Sequence, residues 1–496
     1  MKAENTISER KKVEMKPGKG RILIAGTGSG CGKTTVVLAL LAALKKRWSD
    51  AKHPPLSAFK CGPDYIDPMF HRQILGISSR NLDPYFCHES FLQAQLWAEK
   101  DRLSVIEGVM GFYDGIGTEG MASTWEVAKK TATPAILVVN PKGMYTSAGA
   151  ILKGFREFRE ESGIQGVIFN AISPHLYDGL KSIAKAQGLI PLGFLPSNEE
   201  IRIGSRHLGL ITAGEIRDLQ EKLEKMGQMA ETCLDLNGIL TLAAKAKALS
   251  PSPSVSFMRD SAIDSTPETD SKIHKIWRKP VIAVARDSAF CFLYQENLEM
   301  LEALGCDLQF FSPLKEEALP EGSAGLYLPG GYPELYAKEL SQNKKMLYAI
   351  HQAVTSGVPT IAECGGFLYL HDFLDSFEMA GVISGTACRT ERLQRFGYIQ
   401  LTAKKDNLLC KNGESIRAHE FHYWDSANPG EDFVAEKPSG NKRYSCIHAS
   451  HSFYAGFPHL YFPANPSFAE RFVIKAAAFE GMSVSKSLNF NGGLKK

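Results

Sequence analysis

The stretch that most constrains the fold is IAGTGSGCGKTT at residues 24–35. It follows the apolar run RILIAG and leads into TTVVLALLAALKKR, a helical stretch that ends in a basic last turn. Strand, glycine turn and helix in that order commit the chain to an α/β unit. Such a turn aims backbone N–H groups at an anion, with the positive end of the helix dipole behind it. Lys33 can reach terminal phosphates, and the Thr34 hydroxyl can serve Mg2+. Gly28, Gly30, Gly32, Lys33, Thr34 and Thr35 are therefore the candidate ATP-binding residues. The strict pattern G-x-x-x-x-G-K-[ST] fails by one place, because Thr27 stands where its first glycine belongs and Gly26 lies one residue too early. The extra residue lengthens the loop without removing its donors. An ordinary strand-to-helix turn is the competing reading.

The rest of the chain continues the same rhythm. LSVIEG, PAILVVN, QGVIFN and IPLGFLP alternate with helical stretches up to about residue 245, which predicts a parallel α/β sheet over 20–247. A segment rich in Ser, Pro and Asp follows, and residues 248–276 read as a linker. KPVIAVARD, CDLQFFSP, AGLYLPGG and VPTIAECGG then restart the pattern, so a second α/β domain is expected over 277–482. Residues 1–19 read as a flexible lead-in and 483–496 as a mobile tail. A length of 496 residues also calls for at least two domains.

Composition narrows the function. With 57 basic and 54 acidic residues the charge is balanced, so bulk electrostatics gives no support for nucleic acid and any anion site must be local. The apolar run VVLALLAAL is well short of the ~20 residues of a membrane span, and the polar N-terminus lacks the apolar core of a signal peptide. Ten scattered cysteines without a C-x-x-C pair fit reduced thiols, and a cytoplasmic location is expected.

Two clusters carry chemistry. In the first, FKCGPDYIDPMFH sets Lys60, Asp64 and Asp67 in a proline-punctuated loop, and LSVIEGVMGFYDG puts Glu107 at a strand end with Asp114 in a glycine-rich loop. Ligands of open α/β sheets gather beyond the carboxyl ends of strands. Mg2+ bound with phosphates takes one or two protein carboxylates, so four acids exceed one ion's need and some would orient a substrate. Turn capping is the plainer reading for Asp64, Asp67 and Asp114.

In the second, VPTIAECGGFLYL puts Cys364 between a strand and an expected helix, in the manner of an elbow that exposes a nucleophile. The helix N-terminus is expected to lower the thiol pKa. A buried structural cysteine is the alternative. Gly330 and Gly331 in LYLPGGYPE can aim N–H groups at an oxyanion. The thiol needs a base, and spacing alone does not choose among His351, His371, His419, His422, His448, His451 and His459. The H-x-x-H pairs at 419/422 and 448/451 are weak evidence for a metal.

Taken in order, GTGSGCGKTT, KCGPDYIDPMFH, EGVMGFYDG, RHLGL, ARDSAFCFLYQENLEML, LPGGYPE, ECGGFLYL, HEFHYW and FPHLYF resemble the cobyrinic acid a,c-diamide synthase family, including its branch acting on Ni-sirohydrochlorin in coenzyme F430 synthesis. That family and its relative dethiobiotin synthetase share the lengthened loop. The resemblance implies a dethiobiotin synthetase-like ATPase domain and a class I glutaminase-like, flavodoxin-like domain. It implies that ATP and Mg2+ activate a tetrapyrrole carboxylate as an acyl phosphate, which ammonia from glutamine then attacks. The family's acidic positions match Asp64, Asp67, Glu107 and Asp114, its nucleophile matches Cys364 and its base His459; Thr34 in the loop and Glu107 at a strand end are the candidate Mg2+ ligands, and Lys60, Asp64, Asp67 and Asp114 the candidates at the reacting carboxylate. No nucleic acid or membrane partner is implied, and a homodimer would suit the family. Ordinary class I glutaminases carry Glu two residues after this histidine, where Tyr461 stands here. Competing readings are a cobyric acid synthase-like amidase and a switch ATPase with an idle second domain.

Overall fold

The computed structural model describes residues 19–49, 55–201, 213–249, 279–440 and 442–490. The lead-in before residue 19, most of the expected linker, and Arg206 and His207 of RHLGL lie outside these residues.

The N-terminal half is a seven-stranded sheet, every pairing parallel. Its strands are β1 (Gly20–Gly26), β2 (Leu56–Cys61), β3 (Ser79–Leu82), β4 (Leu103–Glu107), β5 (Ala135–Val139), β6 (Ile164–Asn170) and β7 (Ile190–Leu195), in the order β3-β2-β4-β1-β5-β6-β7. The runs are apolar nearly throughout because helices cover both faces of the sheet. Ile22, Ile24 and Val105 belong to one buried cluster with the helix α1 (Lys33–Arg47), and Leu23, Ala25 and Ile106 to the cluster on the opposite face. Register decides what meets at the carboxyl edge: Glu107 lies opposite Ile24 of β1 on one side and Lys60 of β2 on the other.

The C-terminal half contains a six-stranded sheet in which β8 (Val281–Ala285), β9 (Asp307–Phe311), β10 (Ser323–Leu328), β11 (Thr360–Glu363) and the strand Phe453–Gly456 are parallel, with His448–Ala449 antiparallel at the edge. Against it stands an antiparallel five-stranded sheet that includes Arg395–Ala403, Ser415–His422 and His459–Leu460. A small four-stranded sheet completes this half. These two extra sheets were not expected from the sequence. The tail expected from residue 483 also differs, because the last helix runs Pro466–Phe490 and crosses that boundary. Among the described residues no helix is long and apolar enough to cross a membrane.

Candidate active site

The turn between β1 and α1 wraps a space in front of the helix. Gly32 adopts φ +98°, and a Cβ there would lie 1.9 Å from the Asn170 amide, so glycine is required on both counts. Asn170 itself holds the turn by donating to the Cys31 carbonyl at 3.0 Å. Lys33 is buried and donates to the carbonyls of Gly28 (2.9 Å) and Met110. Burial lowers its pKa, against the opposing charges of Glu107 and Asp114. A cavity of about 920 Å³ opens beside the turn, lined by Gly30, Gly32, Thr35, Asn140, Lys142 and Asn170 among others. Asn140 and Asn170, which follow β5 and end β6, belong to no motif in the sequence.

The acids divide by environment. Glu107 is fully buried; its Oε1 accepts from Thr34 Oγ1 at 2.6 Å and from Lys60 Nζ at 2.9 Å. Its Oε2 accepts no hydrogen bond among the described residues. Lys60 also lies 2.6 Å from Asp67 and 3.8 Å from Asp64. Burial alone would depress the Lys60 ammonium, but Asp67, Glu107 and Asp64 together hold it above its ordinary value. With three carboxylates sharing one ammonium, burial and Asp67 push Glu107 up to about 7.

The expected loop placement needs correction. Lys60 sits on strand β2, and Asp67 lies in the first turn of the helix α2 (Ile66–Gln73), where Pro68 is tolerated because first-turn N–H groups have no helical partner. Asp64 Oδ1 accepts from the backbone of Ile66 (2.8 Å) and Asp67 (3.2 Å), and Asp114 Oδ2 from Gly111 (2.9 Å). Both therefore cap turns, as the plainer reading had it, while standing at the edge of the same cluster.

In the other half, Cys364 takes φ +46° and ψ −101° between β11 and the short helix Gly365–Tyr369. A non-glycine residue held in that region is strained, and its N–H is anchored 2.8 Å from the Gly456 carbonyl. The expected lowering of the thiol pKa is not what the surroundings give. Burial pushes Cys364 up, Glu334, Glu363 and Glu420 add to this, and the Gly365 N–H opposes it, behind which stands a helix of only five residues. Close packing brings the pieces together: a Cβ on Gly365 would lie 2.8 Å from Gly331 N, and one on Gly330 2.3 Å from His459 Cε1.

The structure separates the histidines that spacing could not. His351, His371, His422 and His448 each bond a backbone carbonyl, at 2.6–2.9 Å. His451 is exposed. His459 is buried beside the elbow, with His419 opposite it in register, and burial brings both down to about 3. His419 and His422 are three apart on one strand and so face opposite sides. Among the described residues no group of three His, Cys, Asp or Glu could hold a metal ion.

The two clusters face each other. The Tyr65 ring, from the loop before α2, lies 5.0 Å from His459 and 5.3 Å from Phe292. An apolar cavity of about 570 Å³ runs from His459 past His419 and Tyr398 to Asp64 and Met110, whose carbonyl holds Lys33. Polar contacts, several of them buried, also cross the seam. Arg80 forks onto Glu299 and bonds Glu99, the Asn81 N–H donates to Glu296 at 2.6 Å, and Tyr398 donates to Asp83 at 2.8 Å. In the sequence, the aromatic character of Tyr65 within GPDYIDP is the available signal for this position.

A nucleotide-type turn in one α/β half and a strained cysteine elbow in the other describe a two-domain enzyme class with a glutamine amidotransferase half, and the comparisons with known proteins agree on that half. The model of the CobB/CobQ-like glutamine amidotransferase domain matches residues 281–466. The cobyrinate a,c-diamide synthase of Caldanaerobacter subterraneus subsp. tengcongensis is 36% identical over 468 residues, covering 92% of this chain and 98% of its own. That of Methanobrevibacter smithii is 35% identical over 477 residues, covering 93% and 100%. Among solved structures, PurLQS from Thermotoga maritima is 15% identical with a TM-score of 0.30, over 40% of this chain and 98% of that one, a likeness too slight to carry an argument. The chain belongs to the cobyrinate a,c-diamide synthase family and is a ligase.

Proposed function

We propose that this enzyme amidates the a and c acetate side chains of a tetrapyrrole, using ATP and glutamine, with the ligase half in residues 20–247 and the glutaminase half in 277–482. The observation that carries the proposal is the apolar cavity joining His459 to Asp64 and to the Met110–Lys33 contact. In this reading one cavity is shared by the source of ammonia and the site of phosphoryl transfer. The relatives' names favour cobyrinic acid as acceptor; Ni-sirohydrochlorin offers the same pair of acetates and is the alternative to be tested.

A carboxylate oxygen attacks the γ-phosphorus and ADP departs; ammonia then attacks the acyl carbon and phosphate departs. Lys33 turns from the Gly28 and Met110 carbonyls to the transferring phosphoryl. Thr34 and Glu107 would hold Mg2+; in support, two of their oxygens lie 2.6 Å apart, the second Glu107 oxygen lacks a hydrogen bond among the described residues, and the acids outnumber Lys60. When bound, Mg2+ would neutralise charge on the phosphates. Asp64, Lys60 and Asp67 then orient the acceptor carboxylate. Gly331, with Gly330, supplies the oxyanion contact for Cys364, and His459 carries its proton.

The test is mass spectrometry of products after supplying cobyrinic acid or Ni-sirohydrochlorin with ATP, Mg2+ and either glutamine or an ammonium salt. A diamide is expected from both nitrogen sources. Cys364→Ser should abolish the glutamine-dependent reaction and leave the ammonium-dependent one. ATP hydrolysis without amidation of either macrocycle would overturn the reading.

A further inference from the structure

Cys364 and His459 lack the carboxylate that usually completes such a pair, since Tyr461 occupies its place in the sequence. In the fold Tyr461 turns away: its ring stacks on Phe86 at 5.1 Å, and its hydroxyl lies 3.4 Å from Gln95 Nε2, both in the ligase half. His459 is 2% exposed, and its Nδ1 has no hydrogen-bond partner among the described residues. An imidazole that must accept a proton on one nitrogen needs an acceptor for the N–H on the other.

The only carboxylate placed against that nitrogen by an ion-pair contact among the described residues comes from the elbow itself. Glu363, the last residue of β11, is 1% exposed, and its Oε2 lies 4.0 Å from His459 Nδ1. Two donors fix this carboxyl: the Leu460 N–H reaches Oε1 at 3.1 Å, and the Tyr327 hydroxyl reaches Oε2 at 3.1 Å. Asn297 braces the same strand, donating to the Leu460 carbonyl at 2.9 Å and accepting from the Phe462 N–H at 2.8 Å. The carboxyl is thus held by the residue that follows the histidine. The remaining gap exceeds a hydrogen bond by about 1 Å, and such contacts commonly tighten only when substrate binds.

We propose that Glu363 is the positioning residue of the glutaminase site, supplying from the residue before the nucleophile the carboxylate that ordinary class I glutaminases place after the histidine. The inference rests on the glutaminase reading above. Glu363 accepts the Nδ1–H of His459, so that Nε2 takes the Cys364 proton as sulfur bonds to the glutamine amide carbon. Nε2 returns that proton to the nitrogen as the C–N bond breaks and ammonia leaves; water then opens the thioester and releases glutamate.

The groups facing Glu363 are His459, Cys364 and the phenols of Tyr65, Tyr294, Tyr327 and Tyr454. Burial pushes its carboxyl up to about 8, with the Leu460 N–H and the Tyr327 hydroxyl opposing. It accepts a hydrogen bond best when ionised, so glutaminase kcat should rise with pH through about 8. Glutaminase kcat, KM and pH profile are to be measured for wild type, Glu363→Gln and Glu363→Asp, with ammonium-dependent amidation as the control for an intact ligase half. In Glu363→Gln we expect kcat to fall ~10²-fold or more with little change in KM, the limb near pH 8 to vanish and the ammonium reaction to persist. Glu363→Asp should recover part of both kcat and the limb. A Glu363→Gln enzyme that keeps kcat or the limb, or that loses the ammonium reaction in parallel, overturns the proposal. Absence of glutaminase activity in the wild type would overturn the parent reading, and this inference with it.

Discussion

At the scale of single side chains, three carboxylates crowd one buried ammonium at the carboxyl ends of β2 and β4, and their environments should give them different work. Glu107 touches Thr34 and is fully enclosed, so Glu107→Gln should depress every ATP-dependent step and raise the Mg2+ concentration needed for half-maximal rate. Asp67, buried and 2.6 Å from Lys60, should cost more turnover as Asp67→Asn than Asp114, which caps a turn. Asp64, Asp67 and Asp114 are the acids proposed to orient the acceptor. In at least one of their asparagine variants the ratio of monoamide to diamide product should therefore rise, as read by mass spectrometry; a fixed ratio in all three would confine them to ATP chemistry. The sequence displayed these acids because Asp and Glu at strand ends and turns are visible without a fold. It did not display Tyr65 as a neighbour of His459, since that contact joins residues almost four hundred positions apart and depends on how the halves dock.

At the scale of elements, legibility followed how each strand is buried. The central parallel strands β1, β4 and β11 are mostly apolar because both faces are covered, and RILIAG, LSVIEG and VPTIAECGG could be read directly. Arg395–Ala403 is different: RFGYIQLTA mixes charge, glycine and apolar residues, since one face packs and the other meets water or the seam. The antiparallel sheet escaped notice for that reason, and with it the pairing of His459 with His419. Lys60 was misplaced for a related reason, because a lysine at the end of a run argues against a buried strand unless its carboxylate partners are known. The turn after β10 offers a test at this scale. A methyl group on Gly330 would overlap the His459 ring, so Gly330→Ala should remove glutamine-dependent synthesis by at least ten-fold while ammonium-dependent synthesis continues. Equal loss of both would assign the glycine to folding alone.

At the scale of the whole molecule, the seam is where proton uptake and stability meet. Asp83 is buried against Tyr398 of the opposite half, and burial raises its carboxyl to about 7, opposed by the Tyr398 hydroxyl and backbone N–H groups. In the unfolded chain it titrates near 4. The folded state therefore binds the proton more tightly, so the contribution is full below about pH 4 and is lost as pH rises through about 7. Asp83→Asn should accordingly reduce the fall in Tm between pH 5 and pH 8, measured by calorimetry; an unchanged slope would assign the dependence to other buried acids such as Glu107 and Glu334. Tyr461 stacked on Phe86 has a consequence of another kind. A position that ordinary glutaminases reserve for their own chemistry is here given to holding the neighbour. A recombinant that exchanged one half for a distant relative's would inherit an aromatic pair with one member missing. Positions 86 and 461 should therefore change together across lineages.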